Sequence, residues 1–276
     1  MDITLDIVDT VIISKNIPKI FAEYSTIQAD HKLKKILCDF FNVSDNKFDE
    51  VKNIRSLYNN YLLKYYPNET NIKANFVNKI LLNGKTHVSI YELPVGRSRV
   101  DLCKINGTSI AYEIKTDLDN LSRLKKQIYD YSLVFEQIYL ICSNATMQEA
   151  EKILPDYCGI YIYNVKKNGN ITFYKYKKAS HSPYIDAFTQ LNILQKKELL
   201  SIAKIKINPS IPKNDLIDIV LNSYKPEEIN FLFKSLLKKR YRDNWNFIKI
   251  NHNNILEIDY QWFFKNCISP DIIYKK

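Results

Sequence analysis

The spacing of apolar side chains changes twice along this chain, from helical to strand-like near residue 85 and back again near residue 184. That double change limits the folds open to it, because each period demands its own kind of element. Before Gly84, TIQADHKLKKILCDFF places Ile27, Leu33, Ile36, Leu37 and Phe40 near one stripe. FDEVKNIRSLYNNYLLKYY repeats the pattern with Val51, Ile54, Leu57, Tyr58, Tyr61 and Leu62. A third helix, IKANFVNKILL, stops at Asn83-Gly84, a common helix end. Beyond Tyr184, QKKELLSIAK, KNDLIDIVLNSY and KPEEINFLFKSLLKKRYR are amphipathic again. The last opens near Pro226 and ends in the basic residues Lys238, Lys239, Arg240 and Arg242, which read as a solvated helix end or a binding cluster.

Between these flanks, THVSIYELPV, RSRVDLCKI and TSIAYEIKT are β-rich and separated by turn residues. LDNLSRLKKQIYDYSLVF then reads as a helix, with Asp119 as N-cap and Leu121, Leu124, Ile128, Tyr131 and Phe135 as its apolar stripe. EQIYLICS is a continuous apolar strand, ATMQEAEKIL a helix, and GIYIYNV with NITFYKY a hairpin around Lys167-Asn168-Gly169. Strand–helix–strand order requires a right-handed crossover, so strand 137–142 is expected to run parallel to strand 109–116. The expected fold is α/β: a mixed sheet of three antiparallel strands leading into a parallel pair, flanked by helices. In chain order this gives a helical region over 1–69, a core over 70–180 and a second helical region over 181–276.

Composition narrows the function. The chain has 276 residues, an apolar share of 46% and no run approaching the roughly 18 apolar residues of a membrane span. MDITLDIVDT begins with acids and lacks the basic-then-apolar order of a signal peptide. Five cysteines are scattered without CxxC spacing, which argues against a disulfide framework or a zinc site and fits a reducing cytoplasm. Four histidines show no HxH or HExxH spacing. The five glycines build neither GxGxxG nor GxxxxGK[ST], which argues against nucleotide binding by a glycine-rich loop. The formal charge of +10 favours a polyanionic partner, because lysines and arginines meeting phosphates release condensed counterions.

The chemistry concentrates in SRVDLCKINGTSIAYEIKTD, two strands joined at Asn106-Gly107. Glu113 and Lys115 are two apart and share a face. Asp101 joins them only if the connection has an odd count. A plain two-residue turn would pair residue 101 with residue 112 and leave Glu113 on the other face. With Asn106, Gly107 and Thr108 in the loop, Asp101 lies opposite Glu113, with Cα atoms about 4.5–5.5 Å apart. Two carboxylates that close repel by about 4 kcal/mol at an effective dielectric near 20. Lys115 offsets part of this, and a divalent cation would reverse its sign. An all-oxygen site suits Mg²⁺ or Mn²⁺ rather than zinc. The plain alternative is a structural ion pair of Lys115 with Glu113 or Asp101.

Asp, about a dozen residues, then Glu-x-Lys on the next strand resembles the PD-(D/E)XK nuclease superfamily, with Val100 in place of the proline of that name. Gln127 and Tyr131 form QxxxY, which resembles the auxiliary motif of the RecB-like and phage-exonuclease branches. The stretch from about residue 88 to 180 is similar to an uncharacterised bacterial branch of that superfamily. The resemblance implies a restriction-endonuclease-like core and a metal-dependent nuclease. Asp101 and Glu113 would hold Mg²⁺ or Mn²⁺ together with the Ile114 carbonyl, and Lys115 would orient or deprotonate water. DNA is the favoured substrate, with RNA cleavage, or nucleic-acid binding without catalysis, as the alternatives.

Around this set, Glu92 on the neighbouring strand is either a third carboxylate ligand or an exposed hairpin end. Arg99 shares the face of Asp101 and either binds phosphate or neutralises acids. Arg123, Gln127 and Tyr131 fall at i, i+4 and i+8, one helix face able to meet a phosphate backbone. Asp117 and Asp119 read as helix-cap residues rather than ligands. LQKKELLSIAKIKINPSIPKNDLIDIVL is similar to the SAP helix–extended–helix DNA-binding motif, with Leu199, Ile202 and Ile211 packing its core and Lys213 leading the second helix; a generic helical cap is the other reading.

Overall fold

The computed structural model describes residues 10–84, 86–203 and 210–274. The acidic N-terminal decapeptide, except its last residue, and the extended link of the SAP-like stretch at residues 204–209 therefore lie outside the described residues.

Helices come first: α1 (Thr10–Glu23), α2 (Asp30–Phe41), α3 (Ile54–Tyr65) and α4 (Glu69–Phe76), the last unwinding through a π-turn at Val77–Leu81. Boundaries follow caps rather than stripes. The second starts only at Asp30, so Ile27, expected on its apolar face, is 60% exposed. The third starts at Ile54 because the Asn53 side chain accepts the Ser56 N–H at 3.0 Å and fixes the first turn there.

The strands follow: β1 (Val88–Val95), β2 (Ser98–Asn106), β3 (Thr108–Lys115), β4 (Gln137–Ser143), β5 (Gly159–Val165) and β6 (Ile171–Lys177). They form one sheet in sequence order, β1-β2-β3-β4-β5-β6. The first three are antiparallel, while β3–β4 and β4–β5 are parallel. The expected parallel pair is thus a parallel trio. β3 and β4 are buried almost throughout, as strands covered on both faces must be, and this explains their lack of polar alternation.

Helices α5 (Leu124–Ser132) and α6 (Asn144–Glu151) form the crossovers. The first is much shorter than the sequence periodicity suggests, and Asp119 does not cap it. Asp119 Oδ2 instead accepts from the N–H and hydroxyl of Thr116, both at 2.8 Å, closing a turn just after β3. Asp117 accepts from the hydroxyls of Ser143 and Thr146, at the start of α6. Leu121 and Phe135, assigned to the helical stripe, are buried from the loops on either side.

The C-terminal part holds α7 (Ala187–Ile193), α8 (Lys196–Ile202), α9 (Lys213–Ser223), α10 (Pro226–Asn251), α11 (Tyr260–Asn266) and α12 (Pro270–Tyr274). Here α10 runs on past Arg242, so the basic cluster sits mid-helix rather than at a helix end. In α8, Leu199 and Ile202 are buried, whereas Ile211 is only half-buried.

Contacts divide the chain into two compact units. One holds the residues up to Lys79, the hairpin tip Asn164–Thr172 and the residues from Asn246 onward; the other holds Ile80–Tyr163 and Phe173–Trp245. The first is organised around an apolar cluster that includes Leu33, Leu37, Leu57, Tyr61 and Ile258. The second contains most of the sheet and is packed through Leu102, Leu124, Ile128, Leu140 and Ile162. Among the described residues no helix is long and apolar enough to cross a membrane.

Candidate active site

The hairpin takes the odd register. Leu102 pairs with Tyr112 and Asn106 with Thr108, leaving Gly107 alone at the apex with φ +73°. Only glycine takes that backbone conformation without strain. The next residues in line after Leu102 and Tyr112 are Asp101 and Glu113, so the two acids fall opposite each other on the same face. On the other side of β2, Tyr91 pairs with Leu102 and Leu93 with Val100, which brings Glu92 level with Asp101. Three acids therefore form a row across β1, β2 and β3. Carboxylate oxygens of Glu92 and Asp101 lie within 4.8 Å of each other.

Each acid is held differently. Asp101 Oδ2 accepts the Ile114 N–H at 2.7 Å, a bond that ties the β2 carboxylate to the β3 backbone between Glu113 and Lys115. Glu113 is 1% exposed; its Oε1 accepts from Gln127 Nε2 at 2.6 Å and Lys115 Nζ at 2.8 Å, and its Oε2 accepts from the Tyr131 hydroxyl at 2.7 Å. Glu92 is ion-paired with Arg99 and sits at φ +55°, a region a non-glycine residue enters at a cost of about 1–2 kcal/mol. Such strain collects at functional sites.

QxxxY thus spends its donors on Glu113. Gln127 and Tyr131 are four apart on α5, one turn of the helix, so both reach the same carboxylate. They do not form a phosphate-facing stripe with Arg123, which is exposed at the N-cap position of α5. Burial first, then the charges of Glu113 and Asp101, push the Tyr131 hydroxyl far above its ordinary pKa. It stays protonated and acts as a fixed donor. The amide of Gln127 is oriented by Glu113, and its buried Oε1 meets no hydrogen-bond donor among the described residues. Arg99 is two-thirds exposed, and its backbone carbonyl lies 2.8 Å from the Tyr131 hydroxyl.

Sequence reasoning named the acids, the lysine and QxxxY, but not the Ile114 N–H bond to Asp101. A backbone donor has no sequence signal. It also missed that Glu136 clamps the tip of the same hairpin: its carboxylate accepts from Ser109 N at 2.6 Å, Asn230 Nδ2 at 2.9 Å and Lys234 Nζ at 2.8 Å.

A relative, Protein cII of Enterobacteria phage P4, is 26% identical over 160 residues, which cover 56% of this chain. The chain spans about 60% of the length of that curated relative. No solved structure matches the chain. The family model described as Bacteriophage P4 protein cII matches residues 64–261, a segment that contains the whole sheet, the row of acids and α5. The chain belongs to the bacteriophage P4 protein cII family.

Proposed function

We propose that this chain is a metal-dependent nuclease with a restriction-endonuclease-like core that hydrolyses phosphodiester bonds in DNA. The observation that carries the reading is the odd hairpin register, which sets Asp101 beside Glu113 with Lys115 bonded to the latter. The donor set fits a hard divalent ion. Asp101 and Glu113, with Glu92 and the Ile114 carbonyl, offer only oxygen, as Mg²⁺ or Mn²⁺ prefers. Gln127 Oε1, which meets no hydrogen-bond donor among the described residues, is one more buried acceptor beside them. When bound, the ion supplies positive charge that acidifies the attacking water and offsets charge on the scissile phosphate.

The chain's own groups do the rest. Gln127 and Tyr131 hold Glu113 in one orientation. Lys115 orients the attacking water or takes its proton. Arg99 and Arg123, both exposed cations, draw the nucleic-acid backbone toward the row of acids. Free cysteines, four of them buried, fit a cytoplasmic setting.

Purified protein incubated with circular and linear, single- and double-stranded DNA is expected to cut in Mg²⁺ or Mn²⁺ and to be silent in EDTA. Glu113→Ala should be inert; if it cuts as well as the parent, the site is wrong. Degradation of labelled tRNA but not DNA would move the substrate to RNA. One feature favours a second reading, nucleic-acid binding without catalysis: at 2.8 Å Lys115 already serves Glu113 as an internal counter-ion. Lys115→Ala that binds but no longer cuts supports the nuclease, whereas a parent that binds and never cuts supports the binding protein.

A further inference from the structure

We propose that a pocket beside the β1–β2 turn holds a phosphate group of the nucleic-acid strand, next along from the row of acids. The nature of the strand rests on the function proposed above; the anionic chemistry of the pocket does not. The cavity measures about 690 Å³ and is lined by Pro94 and Gly96 from the hairpin, and by Asn192, Lys213, Arg240 and Tyr241 from the helices. That volume falls within the usual size of a ligand site.

Its charge is positive. Arg240 Nε donates to Glu198 Oε1 at 2.8 Å and its Nη2 donates to Glu198 Oε2, so one acid neutralises one base. The Arg240 guanidinium also lies 5.6 Å from the centre of the Tyr241 ring, which fixes it from a second side. Lys213 Nζ donates to the Asn192 carbonyl at 2.6 Å, which holds the ammonium without cancelling its charge. Among the described residues, two bases against one acid leave the pocket one positive charge in excess. Burial and the neighbouring Arg240 lower the pKa of Lys213, with only a partial offset from Glu198. An anion between the two cations would relieve that stress.

Its position completes the argument. Pro94 is two residues beyond Glu92 on β1, on the same face, and pairs across the sheet with Arg99. The rows Glu92–Asp101 and Pro94–Arg99 are therefore neighbours, and the second borders the pocket. A strand whose scissile phosphate sits at the acids would pass Arg99 and present a flanking phosphate to Lys213 and Arg240. An apolar or basic ligand would leave the excess charge uncompensated.

The test uses fluorescence anisotropy of labelled single-stranded and duplex DNA in EDTA, so that binding is read without cleavage. Lys213→Glu is expected to weaken binding about tenfold and to reduce the slope of log K against log salt by about one. Lys213→Gln should show a smaller loss in the same direction, with the thermal midpoint of both variants unchanged. Arg240 is left in place, because removing it would strand the buried Glu198. Binding equal to the parent in both variants overturns the proposal, as does a parent that binds no nucleic acid. Binding of inorganic phosphate or a deoxynucleoside monophosphate that Lys213→Glu abolishes, with DNA binding unchanged in the same variant, would make this a free-phosphate site and overturn the strand assignment. A parent that binds through Lys213 but never cuts leaves the pocket standing and removes only the nuclease. Cleavage with Lys213-independent binding removes only the pocket.

Discussion

At the scale of single residues, Glu113 decides what the site is. A buried carboxylate survives only when its oxygens are met, and three side chains meet them here: Gln127, Lys115 and Tyr131. Tyr131 has one hydroxyl proton and two acceptors within reach, Glu113 Oε2 at 2.7 Å and Arg99 O at 2.8 Å. The charged carboxylate is the stronger acceptor and takes it. Tyr131→Phe is therefore expected to cost about 1–3 kcal/mol, read as a lower urea midpoint with an unchanged m-value. An unchanged midpoint would mean that Glu113 does not depend on this donor. Gln127→Leu should act in the same direction, and the two losses should not add, because both variants unsettle one carboxylate.

At the scale of elements, the β2–β3 hairpin is the part that makes a site out of separate residues. Its apex turns on Gly107, and its tip is pinned by Glu136 and by Lys234, whose Nζ donates to the Gly107 carbonyl at 2.5 Å. Burial raises the Glu136 pKa, but Lys234, the Ser109 backbone and Asn230 outweigh it, and the net shift is downward. A folded-state pKa below the unfolded one means the native state releases this proton more readily. The stability it contributes is then present above the ordinary glutamate value near 4.3 and is lost as pH falls through the lower folded value. Glu136→Gln should cost about 2 kcal/mol at pH 7, since it breaks hydrogen bonds to a charged group. The gap between variant and parent should close in acid. Urea melts of both proteins at pH 7 and pH 3.5 measure this, and a gap that stays constant would show that ionisation is not what holds the clamp.

At the scale of the whole molecule, the unit built on the N-terminal helices and the residues beyond Asn246 has a polar centre of its own. Asp259 is fully buried and accepts from the Thr26 hydroxyl at 2.7 Å, the Tyr274 hydroxyl at 2.8 Å and the Tyr24 hydroxyl at 3.0 Å. Burial raises its pKa despite these donors. A raised folded-state value reverses the sign found for Glu136: the charged form is penalised, and the group becomes less costly as pH falls from the raised value toward the ordinary carboxylate range. Asp259→Ala would leave three buried hydroxyls short of an acceptor and should cost about 3 kcal/mol, seen as an earlier thermal transition. If the variant melts with the parent, these bonds do not hold the unit together.

Much of this protein was legible in its sequence. Period gave the helical flanks and six strands, because a strand buried on both faces and an amphipathic helix leave different spacings of Ile, Leu and Tyr. The crossover rule gave one parallel pair, and the second, β4–β5, appeared only in the structure. Asp101, Glu113 and Lys115 stood out because charge in an apolar hairpin demands a partner. Helix starts were less legible: Asp119 reads as a cap but closes a turn with Thr116 instead, whereas the cap at Asn53 came to light only in the structure. The last two helices went unread, being short elements held by packing rather than by a strong stripe. Three things were decided only in three dimensions. One is the choice of the odd register over the even one, which depends on how the apex at Gly107 closes under Lys234 and Glu136. Another is the turning of Gln127 and Tyr131 from solvent toward Glu113, set by the packing of α5 on the sheet. The third is the meeting of Lys213, at the start of α9, with Arg240, midway along α10. Sequence records the period and chemistry of each segment, but the pairing of distant groups follows from which faces bury one another, and that is a property of the folded chain alone.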